Sequence, residues 1–172
     1  FEMYRDAGHG AGINMYGGNA TVILSGDATV TGNTFTTSDG AVIPDNIYIG
    51  WSAKETGDTS KSAPNGKIVI SGEYTGQAGV GLYANIKDDA GIPGNASGYV
   101  FGEGEADGET APALTGSITS DVTAGLVAVL VESSDGTTDL MWRMNDLYVS
   151  SEKGDDTAGL GTEAAPYATL EH

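Results

Sequence analysis

The feature that most constrains the fold of this chain is a short apolar segment that recurs three times at nearly constant spacing. The copies are residues 12–17, 46–50 and 79–83, which read GINMYG, NIYIG and GVGLY. Their first large apolar residues, Ile13, Ile47 and Val80, are 34 and 33 positions apart. A period of a few tens of residues is typical of repeat proteins, whose units bury their apolar faces only against neighbouring units. The chain is therefore expected to fold as a stack of similar coils.

A second set of segments follows each of the first two copies, in the same order. In chain order these are residues 22–26 (VILSG), 31–33 (TGN), 68–72 (IVISG) and 75–77 (TGQ). Stacking like strands about 4.8 Å apart would align Ile with Val and Tyr with Tyr. The same stacking would place Asn33 over Gln77 in a ladder of amides. Residues 34–44 are predicted to be a loop between coils, and the polar residues 51–64 a projecting loop.

The composition favours short strands joined by tight turns. The chain has 27 Gly among its 172 residues, well above an ordinary usage of roughly 7 %. Frequent Thr, Ser, Asn and Asp add to the turn signal. Apolar residues rarely recur at helical spacing, so long helices are not expected. Because the chain has no Cys, it offers no disulfide, no thiolate zinc site and no Cys nucleophile.

The charge of the chain excludes several classes of partner. It carries 24 acidic and 7 basic residues, a net charge of −17. Binding to a nucleic-acid backbone requires Lys and Arg, so no nucleic-acid partner is expected. An anionic membrane surface is disfavoured for the same reason. Since no run of about 18 apolar residues occurs, no membrane insertion is expected either.

The C-terminal half contains a predicted β-hairpin. Residues 124–131 form the most apolar stretch, and residues 139–143 form another after an Asp-Gly pair at Asp135 and Gly136. Two such stretches around Asp-Gly are a strong hairpin signal. We expect the hairpin to cover one end of the stack, because uncovered strand edges promote self-association.

The last segment carries a resemblance to a known family. The residues concerned are Tyr148, Val149, Ser150, Gly154, Asp155, Asp156, Gly161, Thr162, Pro166, Tyr167, Thr169 and Leu170. They resemble the opening strand, Gly-Asp-Asp loop and approach to a capping helix of right-handed parallel β-helix proteins of the pectate-lyase-like type. The first repeat is similar to the coils of bacterial cell-surface and adhesin-like β-helices. The resemblance implies an all-β, right-handed parallel β-helix of about three to four coils, with inserted loops and a C-terminal β-hairpin cap.

An opening motif near the end of the chain implies a domain junction. Residues 1–144 would be the C-terminal coils and cap of one β-helix, and residues 145–170 the linker, opening strand and loop of a following one. Residues 171–172 are expected to be the remnant of a tag. The start at Phe1 without an initiator Met is expected of a fragment of a longer protein. Neighbouring β-helix domains of the same chain are then expected partners.

Such a scaffold implies a non-catalytic structural or adhesive segment of a large secreted or cell-surface bacterial protein, contacting neutral glycans or a host surface. Fold alone does not select a function. Two alternatives therefore remain: the chain is a fragment of a polysaccharide hydrolase or lyase, or it is a fragment of a phage tailspike. A hydrolase needs two carboxylates at a controlled separation on one face. The strand segments carry no repeated Asp or Glu, so an enzyme is not expected.

Two sets of candidate binding residues remain. The first set consists of aromatic side chains of the kind that stack on sugar rings, namely Trp51, Tyr48 and Tyr83. The second set consists of carboxylates, which are hard oxygen ligands for Ca²⁺, namely Glu103, Glu105 and Asp107. No other cofactor is expected.

Overall fold

The protein is all-β throughout the part of the chain that its structure, a computed structural model, describes. That part comprises residues 12–15, 20–52, 63–64, 66–83, 93–105, 111–157 and 166–169. It contains fifteen strands and no helix. Accordingly, the described residues include no helix of the length and apolar character that crossing a membrane requires. The all-β prediction is confirmed.

The strands are distributed over one large sheet and two small ones. Eleven strands form a mixed sheet, β4 pairs with β5, and β7 pairs with β8. In chain order the strands are β1 (Ile13–Met15), β2 (Ala20–Gly26), β3 (Thr29–Val30), β4 (Thr34–Thr36), β5 (Val42–Pro44), β6 (Ile47–Ile49), β7 (Trp51–Ser52), β8 (Ala63–Pro64), β9 (Gly66–Tyr74), β10 (Gln77–Leu82), β11 (Val100–Glu105), β12 (Ala113–Leu114), β13 (Ser117–Ser120), β14 (Leu126–Glu132) and β15 (Thr138–Met144).

The three copies of the first repeat pair with one another in parallel. Strand β6 lies between β1 and β10, and the register aligns Ile13 with Ile47 and Ile47 with Val80. The row two residues further along joins Met15, Ile49 and Leu82. Ile47, Ile49 and Val80 are fully buried. The predicted alignment of Ile with Val is therefore confirmed, and alternate residues of each short strand build the core.

The second set of repeats forms parallel pairs as well. Strand β9 lies between β2 and β11, and Val22 and Leu24 are aligned with Ile68 and Ile70. Strand β10 extends this arrangement by pairing with β3 and β13, so that Gln77 lies between Thr29 and Ser117. Residues 22–24 and 68–70 thus lie side by side as like segments of successive repeats, whereas residues 31–33 are not aligned with residues 75–77, because Gln77 lies opposite Thr29.

The predicted hairpin is confirmed and completes the large sheet. Strands β14 and β15 pair antiparallel from Leu126 opposite Met144 to Glu132 opposite Thr138. Their turn contains Gly136 at φ 83°, a conformation that glycine adopts without strain. Strand β14 pairs with β13, and β15 pairs with β11. The hairpin therefore covers the edges of β13 and β11 that do not pair with the parallel strands.

The loop predictions were partly wrong. Residues 34–44 are not a plain loop, because β4 and β5 form a hairpin closed by a turn around Gly40, at φ 88°. The predicted loop at residues 51–64 begins and ends in a short antiparallel pair, with Trp51 opposite Pro64. Residues 53–62, the body of that loop, lie outside the described residues.

One core joins the repeats to the hairpin. Buried Ile68 and Ile70 of the repeats belong to the same cluster as Leu140 and Trp142 of the hairpin. The Trp142 ring stacks on Phe101, with ring centroids 4.2 Å apart. Large apolar side chains from both regions therefore stabilise a single folded unit.

The segment after the hairpin closes on itself. Val149 forms a parallel bridge with Tyr167, and the Ser150 amide donates to the Tyr167 carbonyl at 2.8 Å. The Asp156 carboxylate accepts hydrogen bonds from the amides of Ala168 and Thr169. The division of the chain at residue 144 and the tag at residues 171–172 stay predictions.

Candidate functional site

The outer face of the first set of parallel strands carries two stacked tyrosines. In β6, Tyr48 lies between the buried Ile47 and Ile49, so its side chain points away from the core. The rings of Tyr48 and Tyr83 are stacked, with centroids 4.7 Å apart and planes 18° from parallel. The predicted stacking of Tyr on Tyr is confirmed. Trp51, the third predicted member, has its side chain outside the described part of the structure.

The stack forms because Gly81 has no side chain. The register places Gly81, not Tyr83, opposite Tyr48. A Cβ atom at Gly81 would lie 2.4 Å from the Tyr83 ring, so that ring lies over the glycine of its own strand. The glycine therefore gives Tyr83 access to the ring of the neighbouring repeat.

Burial and nearby negative charge favour the neutral form of the Tyr83 phenol. Its hydroxyl donates to the Pro44 carbonyl at 3.4 Å. Burial raises the pKa of Tyr83 well above its usual range, and the charges of Asp45 and Asp121 raise it further. At neutral pH the Tyr83 ring is therefore an uncharged aromatic surface beside two carboxylates.

A ladder of polar side chains runs across the strands close to this pair. The Asn33 backbone amide donates to Oδ1 of Asn46 at 2.8 Å. In turn, Asn46 donates from its backbone amide to Oδ2 of Asp121 at 2.8 Å, and from Nδ2 to Oδ1 at 2.9 Å. The predicted ladder of Asn33 over Gln77 is wrong, because Gln77 lies between Thr29 and Ser117.

The side chains of the ladder occupy the space beside Gly79 that a larger residue at that position would need. A Cβ atom at Gly79 would lie 2.2 Å from Oδ1 of Asp121 and 2.4 Å from Nδ2 of Asn46. Sequence reasoning missed Asp121, which is 75 positions from Asn46. The available signal was the glycine at position 79, since a glycine within a strand indicates close approach by another group.

The predicted acidic site is only partly described. Glu103 and Glu105 are two residues apart on β11, and they line an open groove of about 790 Å³ together with Glu132 and Leu130. Glu103 forms an ion pair with Lys67 of β9. Asp107 lies outside the described residues, so the calcium site stays a prediction. Within the described ranges, no three His, Cys, Asp or Glu side chains are grouped to hold a metal.

The geometry therefore offers one aromatic surface and one acidic groove. The aromatic surface has a defined ring arrangement and fixed charges beside it, whereas the groove has one of its carboxylates committed to Lys67. Comparison with models of protein families, with curated proteins and with solved structures gives no match. The function of this chain is consequently argued from its own residues.

Proposed function

We propose that this chain is part of a right-handed parallel β-helix in a large secreted or cell-surface protein. Its role would be structural or adhesive and non-catalytic, with glycans contacted through Tyr48 and Tyr83. The recurring parallel pairs support the fold. Each repeat aligns with the next through rows of buried Ile and Val, such as Ile13, Ile47 and Val80.

The observation that carries the adhesive role is the half-buried tyrosine pair on the outer face of β6 and β10. Aromatic rings present an apolar face together with a polar hydroxyl, which suits the apolar face and hydroxyl rim of a sugar ring. The pair is held in place by Gly81 and by the Pro44 carbonyl. A rigid aromatic surface loses little entropy on binding.

Two features favour binding over catalysis. The raised pKa of Tyr83 keeps its phenol protonated, so it is a poor general base near neutral pH. Glu103, in the groove, is engaged in an ion pair with Lys67, which leaves Glu105 and Glu132 as the groove's other carboxylates for the pair that glycoside hydrolysis uses.

A glycan array followed by calorimetry tests the proposal on the complete chain. We expect micromolar binding of at least one neutral oligosaccharide, and Tyr48→Ala should weaken it at least about tenfold through loss of the ring contact. Gly81→Ala should weaken binding too, because it displaces the Tyr83 ring while both tyrosines remain. The matched control is Tyr148→Ala, which removes an exposed tyrosine outside the sheet.

Three outcomes would contradict this proposal. Absence of binding across a broad array would leave only a spacer role. Equal loss of affinity in Tyr148→Ala and Tyr48→Ala would place the ligand elsewhere. Release of reducing ends from any bound glycan would show catalysis.

A further inference from the structure

Among the described residues, the charged side chains that act on Tyr83 of the tyrosine pair are two carboxylates, Asp45 and Asp121. Asp45 directly follows Pro44, the residue whose carbonyl accepts the Tyr83 hydroxyl. Asp121 is held at the strand that carries the ring, because its amide donates to the Val80 carbonyl at 2.9 Å. The two carboxylates therefore approach Tyr83 from two separate elements of the fold.

These charges are fixed in position rather than mobile in solvent. Asp45 is fully buried. Both carboxylate oxygens of Asp121 accept hydrogen bonds from Asn46, at 2.8 and 2.9 Å. A charge held in place by hydrogen bonds and partly withdrawn from water acts more strongly on a ligand than a solvated surface charge does.

The described basic side chains lie on other elements. They are Lys67, on β9, Arg143, on β15, and Lys153, after the hairpin. Lys67 is paired with Glu103. Among the described residues, the groups whose charges act on the Tyr83 phenol are Asp45, Asp121 and Tyr48. A cation brought by a ligand would therefore meet an attractive field.

An aromatic face combined with fixed negative charge is the arrangement that binds organic cations. We infer that the tyrosine pair selects a glycan that carries a free ammonium group, namely an amino sugar that is not N-acetylated. The sugar face lies against the accessible part of the rings, and its ammonium group lies toward the partly exposed Asp121, while the buried Asp45 adds to the negative field. This inference rests on the proposed glycan-binding function and narrows its ligand class.

The decisive experiment changes the ligand and leaves the protein intact. Calorimetry at slightly acidic pH compares oligomers of β-1,4-linked glucosamine with N-acetylated oligomers of the same length. We expect the amine form to bind about tenfold more tightly, which corresponds to a cation contact of ordinary strength. Added salt should reduce this preference, because part of the attraction is electrostatic.

Protein variants then assign the preference to the site. Asp121→Asn should reduce the affinity for the amine form severalfold more than the affinity for the N-acetylated form. Glu152→Gln, at an exposed residue beyond the hairpin, makes the same change in net charge and should leave the preference intact. Tyr48→Ala should weaken both ligands.

Each alternative result has a distinct meaning. Equal or weaker binding of the amine form overturns the inference and leaves the proposed glycan binding in place. Failure of both oligomers, together with a silent glycan array, overturns the proposed function itself. Equal effects of Glu152→Gln and Asp121→Asn would mean that the overall charge of −17 attracts the cation, which also overturns the inference.

Discussion

The parallel repeats and the antiparallel hairpin establish their registers in different ways. Ile13 is aligned with Ile47, and Val22 with Ile68, so partners in the repeats are tens of residues apart. In the hairpin the pairing starts with Glu132 opposite Thr138. A nearby turn sets the hairpin register. The repeats depend instead on matched rows of apolar side chains and on close backbone approach.

Glycine illustrates the same difference. A Cβ atom at Gly76, between β9 and β10, would lie 1.9 Å from the Ala28 carbonyl oxygen, whereas nothing lies within 4 Å of a Cβ at Gly136. Gly76 is needed because two backbones meet. Gly136 is needed because the turn has a positive φ of 83°. In the repeats, glycine is thus required by the small space between neighbouring backbones. In the hairpin, it is required by the local backbone conformation of the turn.

The largest expected effect comes from breaking the contact between the two regions. Trp142→Ala should lower the free energy of unfolding by about 3–5 kcal/mol, because it leaves a cavity against Phe101. Urea denaturation measures this loss. Val129→Ala, on the opposite face of the same hairpin, should cost much less. Similar losses for both variants would contradict a single shared core.

The next largest losses of stability are expected from substituting Gly76 and Gly136, which test the two regions one at a time. Gly76→Ala should cost about 3 kcal/mol or more, because a backbone carbonyl cannot yield to the new methyl group. Gly136→Ala should cost only about 1 kcal/mol, since the new side chain meets no atom and only the positive φ is strained. Urea midpoints of both variants test the difference, and equal losses would refute it.

The polar ladder couples two residues that lie 75 positions apart in the chain. Asn46→Ala and Asp121→Ala should each destabilise the protein by about 1–3 kcal/mol, because each leaves a part-buried polar group without its partner. A double-mutant cycle should give a coupling of at least about 0.5 kcal/mol. Additive losses would mean that the two residues act separately.

The alkaline stability of the repeats should depend on Tyr83. Because burial raises its pKa in the folded state, the unfolded chain loses this phenolic proton first as the pH rises past about 10. The contribution of Tyr83 is therefore complete below that pH and declines above it. Urea midpoints should fall less in Tyr83→Phe than in the natural chain between about pH 9 and about pH 11. An unchanged pH profile would contradict the assignment.

The smallest effect is expected on the surface of the repeats. The Lys67 and Glu103 side chains are about half exposed, so the ion pair should contribute less than about 1 kcal/mol. Glu103→Gln should lower the urea midpoint slightly at low salt and not at high salt. A larger loss that persists in high salt would indicate a structural role.

Much of the fold follows from short patterns in the sequence. The recurring segments predict which strands are neighbours, because only matched rows such as Ile47 with Val80 bury every apolar side chain. The Asp135 and Gly136 pair predicts the hairpin from local turn chemistry alone. Residues 34–44 were wrongly predicted to be a loop, although Asp39 and Gly40 carry the same turn signal. Strands β4 and β5 have only three residues each, which is too short for a clear alternation of apolar and polar side chains.

By itself, the sequence determined the all-β class, the alignment of the apolar repeats and the position of the hairpin, since these depend on periodicity and turn residues that a single segment contains. Only the tertiary structure decided that Asn33 bonds to Asn46, and Asn46 to Asp121, with Asn33 not lying over Gln77. Only the tertiary structure decided, too, that Tyr83 reaches Tyr48 across Gly81. The physical reason is that the apolar rows recur in the sequence and can be matched by pattern, whereas these polar and aromatic contacts join positions that the repeats do not align. Such partners are chosen by the strand register and by the length of chain between repeats, which no local pattern specifies.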